Sequence, residues 1–192
     1  MPAVSCYFRD LQCTFRGMSL LVVSYPNIDK EIYTWIQAHR QSSDELYYNT
    51  IEPHFTLVFP VEGLPENEFL AEIVNKSTGV KPIGFDLTGA KVHKDDFHEI
   101  YHEFLIPETG FGEIIKLHDR LYCGRLYEYW RQDLNYIPHI TIGNSSSYER
   151  CQKNAERINQ SGLFLSGVID KLTVISYTAS GVSRLMEIPL VG

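Results

Sequence analysis

Two short stretches carry proton-transferring and anion-holding side chains in the same order: Pro53-His54-Phe55-Thr56-Leu57 and Pro138-His139-Ile140-Thr141-Ile142. Side chains of a β-strand alternate between its two faces. His54 and Thr56 therefore share one face while Phe55 and Leu57 take the other; His139 and Thr141 stand in the same relation to Ile140 and Ile142. If the two strands lie side by side, two imidazoles and two hydroxyls converge. Imidazoles titrate near neutrality and serve as general acid and base, and hydroxyls donate to charge that develops during a reaction. For a single such motif, a hydrogen-bonded core histidine beside a β-favouring threonine is the simpler reading. Two in matching context favour catalysis.

The surrounding elements repeat in the same way. The first clean strand is predicted over 19–25. A helical stripe follows at Ile28, Ile32, Trp35, Ile36 and His39, with Asn27 as its expected N-cap. The first motif strand is predicted over 54–59 and to stop at Pro60. A helix opens at Pro65, and two strands follow over 83–92 and 98–106. The second half is expected to contain a long helix over 112–131, the motif strand over 137–143, and a helix opened by a capping box at Ser146 and Glu149. Two closing strands are predicted over 167–178 and 183–190. Each half thus reads helix, motif strand, helix, strand, strand, and Asp86 and Asp170 follow their motifs at nearly equal offsets. An internal duplication with the motif strands about a pseudo-twofold axis is expected. It would give an α+β fold of two lobes of mostly antiparallel sheet, outer helices and a central cleft, in one domain over 18–192. Residues 1–17 read as an N-terminal extension without the apolar run of a signal peptide.

A chain of 192 residues is long enough for one sizeable core. Its formal charge of −7 argues against a broad basic groove for long nucleic acid, whose affinity comes largely from Lys and Arg at phosphates. A small anion in a locally positive cleft remains compatible. No apolar run reaches the length of a membrane span. Cys6, Cys13, Cys123 and Cys151 show no metal or redox spacing. Reduced thiols in a cytoplasmic monomer are expected.

With its paired His-x-Thr strands a repeat apart, the chain resembles the 2H phosphoesterase superfamily, most of all its bacterial 2′–5′ RNA ligase-like and cyclic phosphodiesterase members. The resemblance covers about Ser19 to Leu190 by element order, and only the two motifs carry it at residue level. It implies a bilobal fold and cleavage or opening of phosphodiesters, commonly 2′,3′-cyclic nucleotide or RNA ends. It also implies that no metal or other cofactor is needed. His54 and His139 would be the catalytic pair and Thr56 and Thr141 the phosphate-holding pair. The alternatives are a 2′–5′ RNA ligase, an exonuclease at 2′–5′ linkages or RNA ends, and a silent module that binds nucleotides or RNA ends. Many ligase-like members carry a basic residue shortly after the second motif, where this chain has Gly143-Asn144-Ser145. That departure bears on substrate preference.

A zinc site needs a third ligand, and neither motif strand offers one at ligand spacing. Among the twelve tyrosines, Tyr25 and Tyr177 are candidate platforms for a base. Lys91, Lys94, Arg125 and Arg184 are candidate phosphate partners, with Lys91 foremost. His93, His98 and His102 fall in or beside the strands over 83–106, where facing solvent is the default.

Overall fold

Six consecutive buried residues, Ser19–Ser24, form strand β1. A strand buried on both faces must be central, and β1 is hydrogen-bonded on each side. The computed structural model describes residues 18–192. Residues 1–17, with Cys6, Cys13 and the expected extension, lie outside the described residues. After β1 come β2 (Asn27–Ile28), α1 (Lys30–Ser43), β3 (Phe55–Val61), α2 (Glu66–Ser77), β4 (Ile83–Lys94) and β5 (Tyr101–Thr109). The chain continues through α3 (Phe111–Tyr122), a 3₁₀ turn (Gly124–Tyr129), β6 (Ile140–Ser145), α4 (Tyr148–Gln160), β7 (Leu165–Ile169), β8 (Lys171–Thr178) and β9 (Gly181–Pro189).

The strands form two sheets, of order β3-β1-β8-β9 and β2-β7-β4-β5-β6, and each strand pairing is antiparallel. The motif strands β3 and β6 are each an edge of their sheet. The duplication is present with a different phase from the one the sequence suggested. β5 opens the second half as β1 opens the first, and each half lends its later strand to the other's sheet. Thus β3, β1 and the borrowed β8 match β6, β5 and the borrowed β4. Helices cross over too: α1 packs on β6 and α3 on β3. One apolar core joins side chains from both sheets, including Val22, Phe55, Leu57, Phe85, Leu105, Ile140 and Val174.

Several boundaries differ from expectation for identifiable reasons. Pro60 does not stop β3, because an edge strand tolerates a missing donor. Asn27 is drawn into β2, so Asp29 caps α1 by accepting from the Glu31 N–H at 2.7 Å. Ser147 rather than Ser146 caps α4, accepting from the Arg150 N–H at 3.2 Å. The long helix breaks after Tyr122, where Gly124 takes φ +84°, a conformation favouring glycine. The strand expected over 167–178 divides around Asp170 into β7 and β8, which join different sheets.

A bulge in β4 bears on the site. Leu87 pairs with Pro107 but Ala90 pairs with Leu105, so β4 holds one extra residue there. Side chains before the bulge reach the core at Phe85 and Leu87; after it Ala90 does. Asn159 of α4 clamps the bulge: its Oδ1 accepts from the Ala90 N–H at 2.8 Å and its Nδ2 donates to the Ala90 carbonyl at 3.1 Å. A Cβ on Gly89 would stand 2.6 Å from that Oδ1. Gly89→Ala is expected to displace the clamp, leave the Ala90 backbone underpaired and cost about 1–3 kcal/mol. A denaturant-midpoint shift with unchanged slope measures it.

Candidate active site

Both histidines are positioned by the same local device. Each follows a proline, which restricts its own φ and drives the residue before it into extended backbone. The carbonyl two residues upstream then accepts from the imidazole: Nδ1 of His54 donates to Glu52 O at 2.7 Å, and Nδ1 of His139 donates to Ile137 O at 2.6 Å. A carbonyl only accepts, so the hydrogen of each neutral ring sits on Nδ1 and the Nε2 lone pair is left for chemistry. Alternation holds in both strands. Phe55, Leu57, Ile140 and Ile142 are fully buried, whereas His54, Thr56, His139 and Thr141 are half-buried. Among the described residues neither the Thr56 nor the Thr141 hydroxyl has a hydrogen-bond partner.

The edges bearing these residues are fastened to each other. The Tyr136 hydroxyl, three residues before His139, donates to the Thr56 carbonyl at 2.9 Å. Burial holds that phenol well above its usual pKa, so it stays a donor. Arg40 of α1 is 1% exposed and donates to Ile51 O at 2.8 Å, Gln37 Oε1 at 3.0 Å and Asp44 Oδ2 at 2.9 Å. Asp44 Oδ1 in turn accepts from Asn144 Nδ2 at 2.5 Å and from the Tyr47 N–H at 2.9 Å. One buried chain of contacts therefore runs from the approach to His54 to the strand that follows His139. Asn144, in the stretch after the second motif, is a structural amide held by Asp44. Gly143 beside it has no room for a side chain, since a Cβ would lie 2.7 Å from the Glu103 carboxyl carbon.

Electrostatics set the resting state of the pair. Burial pushes the pKa of His54 down to about 4, with the Arg40 cation lowering it further and the Glu52 carbonyl opposing. Burial pushes His139 down to about 3; the Ile137 carbonyl opposes, and His102, His54 and His93 each add a lowering influence. His54 and His139 thus lie within electrostatic reach of one another. Both rings are neutral near pH 7 in the free protein. Folded values below the ordinary 6.5 mean that the unfolded chain binds more protons, so this part of the stability is complete above pH 6.5. It is lost as pH falls toward about 4 and then about 3. In a proton-resonance titration of the free protein, neither ring is expected to titrate above about pH 5. A bound phosphate should raise one of them.

Of the other candidates, Tyr25 meets His54 edge-on with ring centroids 6.1 Å apart. Arg184 lies over the Tyr25 ring at 4.3 Å and pairs with Glu52 at 2.7 Å. Tyr25, Tyr48, Thr50, Glu52 and Arg184 line a pocket beside His54. Tyr177 is not brought to the pair. It is 3% exposed, packs with Leu21, Val23, Tyr47 and Ile51, and stands opposite Ser19, four residues along β1 from the Val23–Thr56 pairing. Lys91 is exposed and faces the side of the sheet that bears Thr141. His93 and His102 stack on Phe104 at 5.4 and 5.6 Å, and Phe104 itself stacks on His139 at 3.6 Å. His98 and His102 both contact the buried carboxylate of Asp95. Cys151 is buried with its thiol pushed up to about 12, whereas Cys123 is exposed. Among the described residues no three His, Cys, Asp or Glu gather as a metal site, and no helix is long and apolar enough to cross a membrane.

Two antiparallel sheets, each with a His-x-Thr strand at its edge and linked there by the Tyr136–Thr56 hydrogen bond, define a two-motif α+β protein of bilobal type. Residues 28–181 match the model of the 2′-5′ RNA ligase superfamily, and the chain belongs to that family, whose members are of phosphoesterase type. A protein of Halalkalibacterium halodurans, BH1439, whose name gives it only provisionally as a phosphoesterase, is 25% identical over 139 residues. That match covers 70% of this chain and 77% of BH1439. TT0787 of Thermus thermophilus superposes with a TM-score of 0.59 at 15% identity over 91% of this chain and 98% of its own. LigT of E. coli complexed with 3′-AMP gives 0.56 at 14% identity, covering 92% and 100%. At such identities these structures attest the fold.

Proposed function

We propose that this chain is a metal-independent phosphoesterase that opens 2′,3′-cyclic phosphodiesters of nucleotides or RNA ends. The observation that carries this reading is the matched pair of imidazoles, each tied through Nδ1 to a carbonyl and each beside a threonine hydroxyl without a partner. Opening the ring requires in-line attack by water. The water loses a proton to one Nε2, a P–O bond forms, and the opposite P–O bond breaks. The departing ribose oxygen takes its proton from the other imidazole, which becomes protonated as the anionic phosphate raises its pKa. Thr56 and Thr141 donate to the non-bridging oxygens, whose charge shifts during the transfer. The pocket of Tyr25 and Tyr48 beside His54 suits the base, with Tyr25 as stacking surface. That E. coli LigT was crystallised with 3′-AMP supports a nucleotide ligand.

Turnover of 2′,3′-cyclic nucleotides in the presence of EDTA tests the proposal. The expected outcome is a single nucleotide monophosphate at an undiminished rate. Activity that needs a divalent cation would overturn it. Binding without turnover would leave a binding module in its place.

A further inference from the structure

We propose that Lys91 binds a second phosphate, one nucleotide removed from the scissile one, so that the preferred substrate is an oligonucleotide end rather than a free cyclic mononucleotide. This rests on the function proposed above and names the substrate class of that site.

The β4 bulge decides where Lys91 points. Without the extra residue, Lys91 would continue the phase of Phe85 and Leu87 and be driven at the core. With it, Ala90 fills the core position and Lys91 turns to the opposite face. The Asn159 clamp and the bare Cα of Gly89 maintain that phase. Directly opposed residues of antiparallel strands share a face. Lys91 opposes Phe104, and Phe104 opposes Thr141, so the three form one row across the sheet. Two strand spacings put the backbones of Lys91 and Thr141 about 10 Å apart. Phe104 fills the middle of the row and stacks on His139. An ammonium at the end of this row meets not the phosphate on the threonines but its neighbour along a chain.

The charge distribution points the same way. Among the sequence's four candidate cations, Lys94 pairs with Glu99 at 2.9 Å, Arg125 with Glu68, and Arg184 with Glu52 at 2.7 Å. Lys91 has no carboxylate partner among the described residues. In a chain of net charge −7, an exposed and unpaired ammonium beside an anion site is the group left to receive a further anion. The pseudosymmetric row in the other sheet is Thr56, Val23 and Thr173, with Thr173 fully buried. No cation occupies the matching place in that row, so the substrate chain leaves the site past sheet β2-β7-β4-β5-β6.

The test compares adenosine 2′,3′-cyclic phosphate with the dinucleotide ApA ending in the same cyclic phosphate. Equilibrium binding of the corresponding 2′-phosphates, mono- and dinucleotide, is measured in parallel. Lys91→Met is expected to lower kcat/KM and affinity about tenfold for the dinucleotides and to leave the mononucleotides unchanged, with Lys91→Arg retaining most of the preference. Equal losses on both lengths, or no loss on either, would overturn the assignment. If the wild-type protein turned over neither substrate but kept a Lys91-dependent preference in binding, the catalytic reading would fail and this one would stand. Turnover of both lengths without any Lys91 dependence would do the reverse.

Discussion

Alanine in place of His139 is expected to lower kcat on a 2′,3′-cyclic nucleotide by about 10²–10⁴-fold, and alanine at His54 by a similar factor. On the proposed mechanism each ring is the one proton carrier on its side of the phosphate, and the neighbouring threonine cannot take over that role. The double variant should be little worse than either single one, because both imidazoles act in one event. His139→Ala also removes the ring stacked on Phe104, so folding must be checked separately by the denaturant midpoint. A loss confined to KM would show that the ring binds substrate without moving protons. The rate of the wild-type protein should trace a bell against pH, reporting one imidazole that must be free and another that must be charged. The free protein, with values depressed to about 4 and about 3, would show no such titration near neutrality. That contrast separates a substrate-induced proton from a resident one.

The second large effect is expected at Asp44, which is outside the His-x-Thr pair itself. Asp44→Ala strands the Arg40 guanidinium, which is 1% exposed, and leaves the Asn144 amide without its acceptor. Breaking a buried ion pair by removing one partner costs about 3–5 kcal/mol, a large share of the stability of an ordinary domain. Replacing both ions, as in Arg40→Met with Asp44→Leu, should recover much of that loss, since the pair itself contributes little net stability. Activity should nonetheless stay low in the double variant, because the contacts joining Ile51 to Asn144 also set the spacing of the two histidine arms. An Asp44→Ala midpoint equivalent to less than about 1 kcal/mol would remove this network from any structural role.

The parts of the site that were legible in the sequence are those with a local period. Alternation placed Phe55, Leu57, Ile140 and Ile142 inward and the His-x-Thr pairs outward, because a two-residue period needs no knowledge of the partner strand. The elements that hold the arms together have no such signature. Arg40 lies on a helix where an arginine ordinarily faces water, and its burial depends on Asp44, Gln37 and the Ile51 carbonyl closing around it. Asp44 and Asn144 meet across 100 positions of chain. Gly89 carried a readable sign, since an isolated glycine inside a strand often marks a bulge. Its consequence for Lys91 required the clamp from Asn159. Tyr177 shows the opposite failure: an aromatic residue on the correct face of the correct sheet, but too deep to meet a ligand.

The exchange of strands between the halves has a consequence for biosynthesis. As the polypeptide leaves the ribosome, β1 can pair with β3 long before its other neighbour, β8, has been made. Until Lys171–Thr178 emerges, one side of a strand with four consecutive apolar residues, Leu20 to Val23, stays open to association with other nascent chains. A chain interrupted before β8 can assemble β2-β7-β4-β5-β6 but leaves β1 with a single partner, β3. Completion of the sheet that bears His54 must wait for β8 and β9.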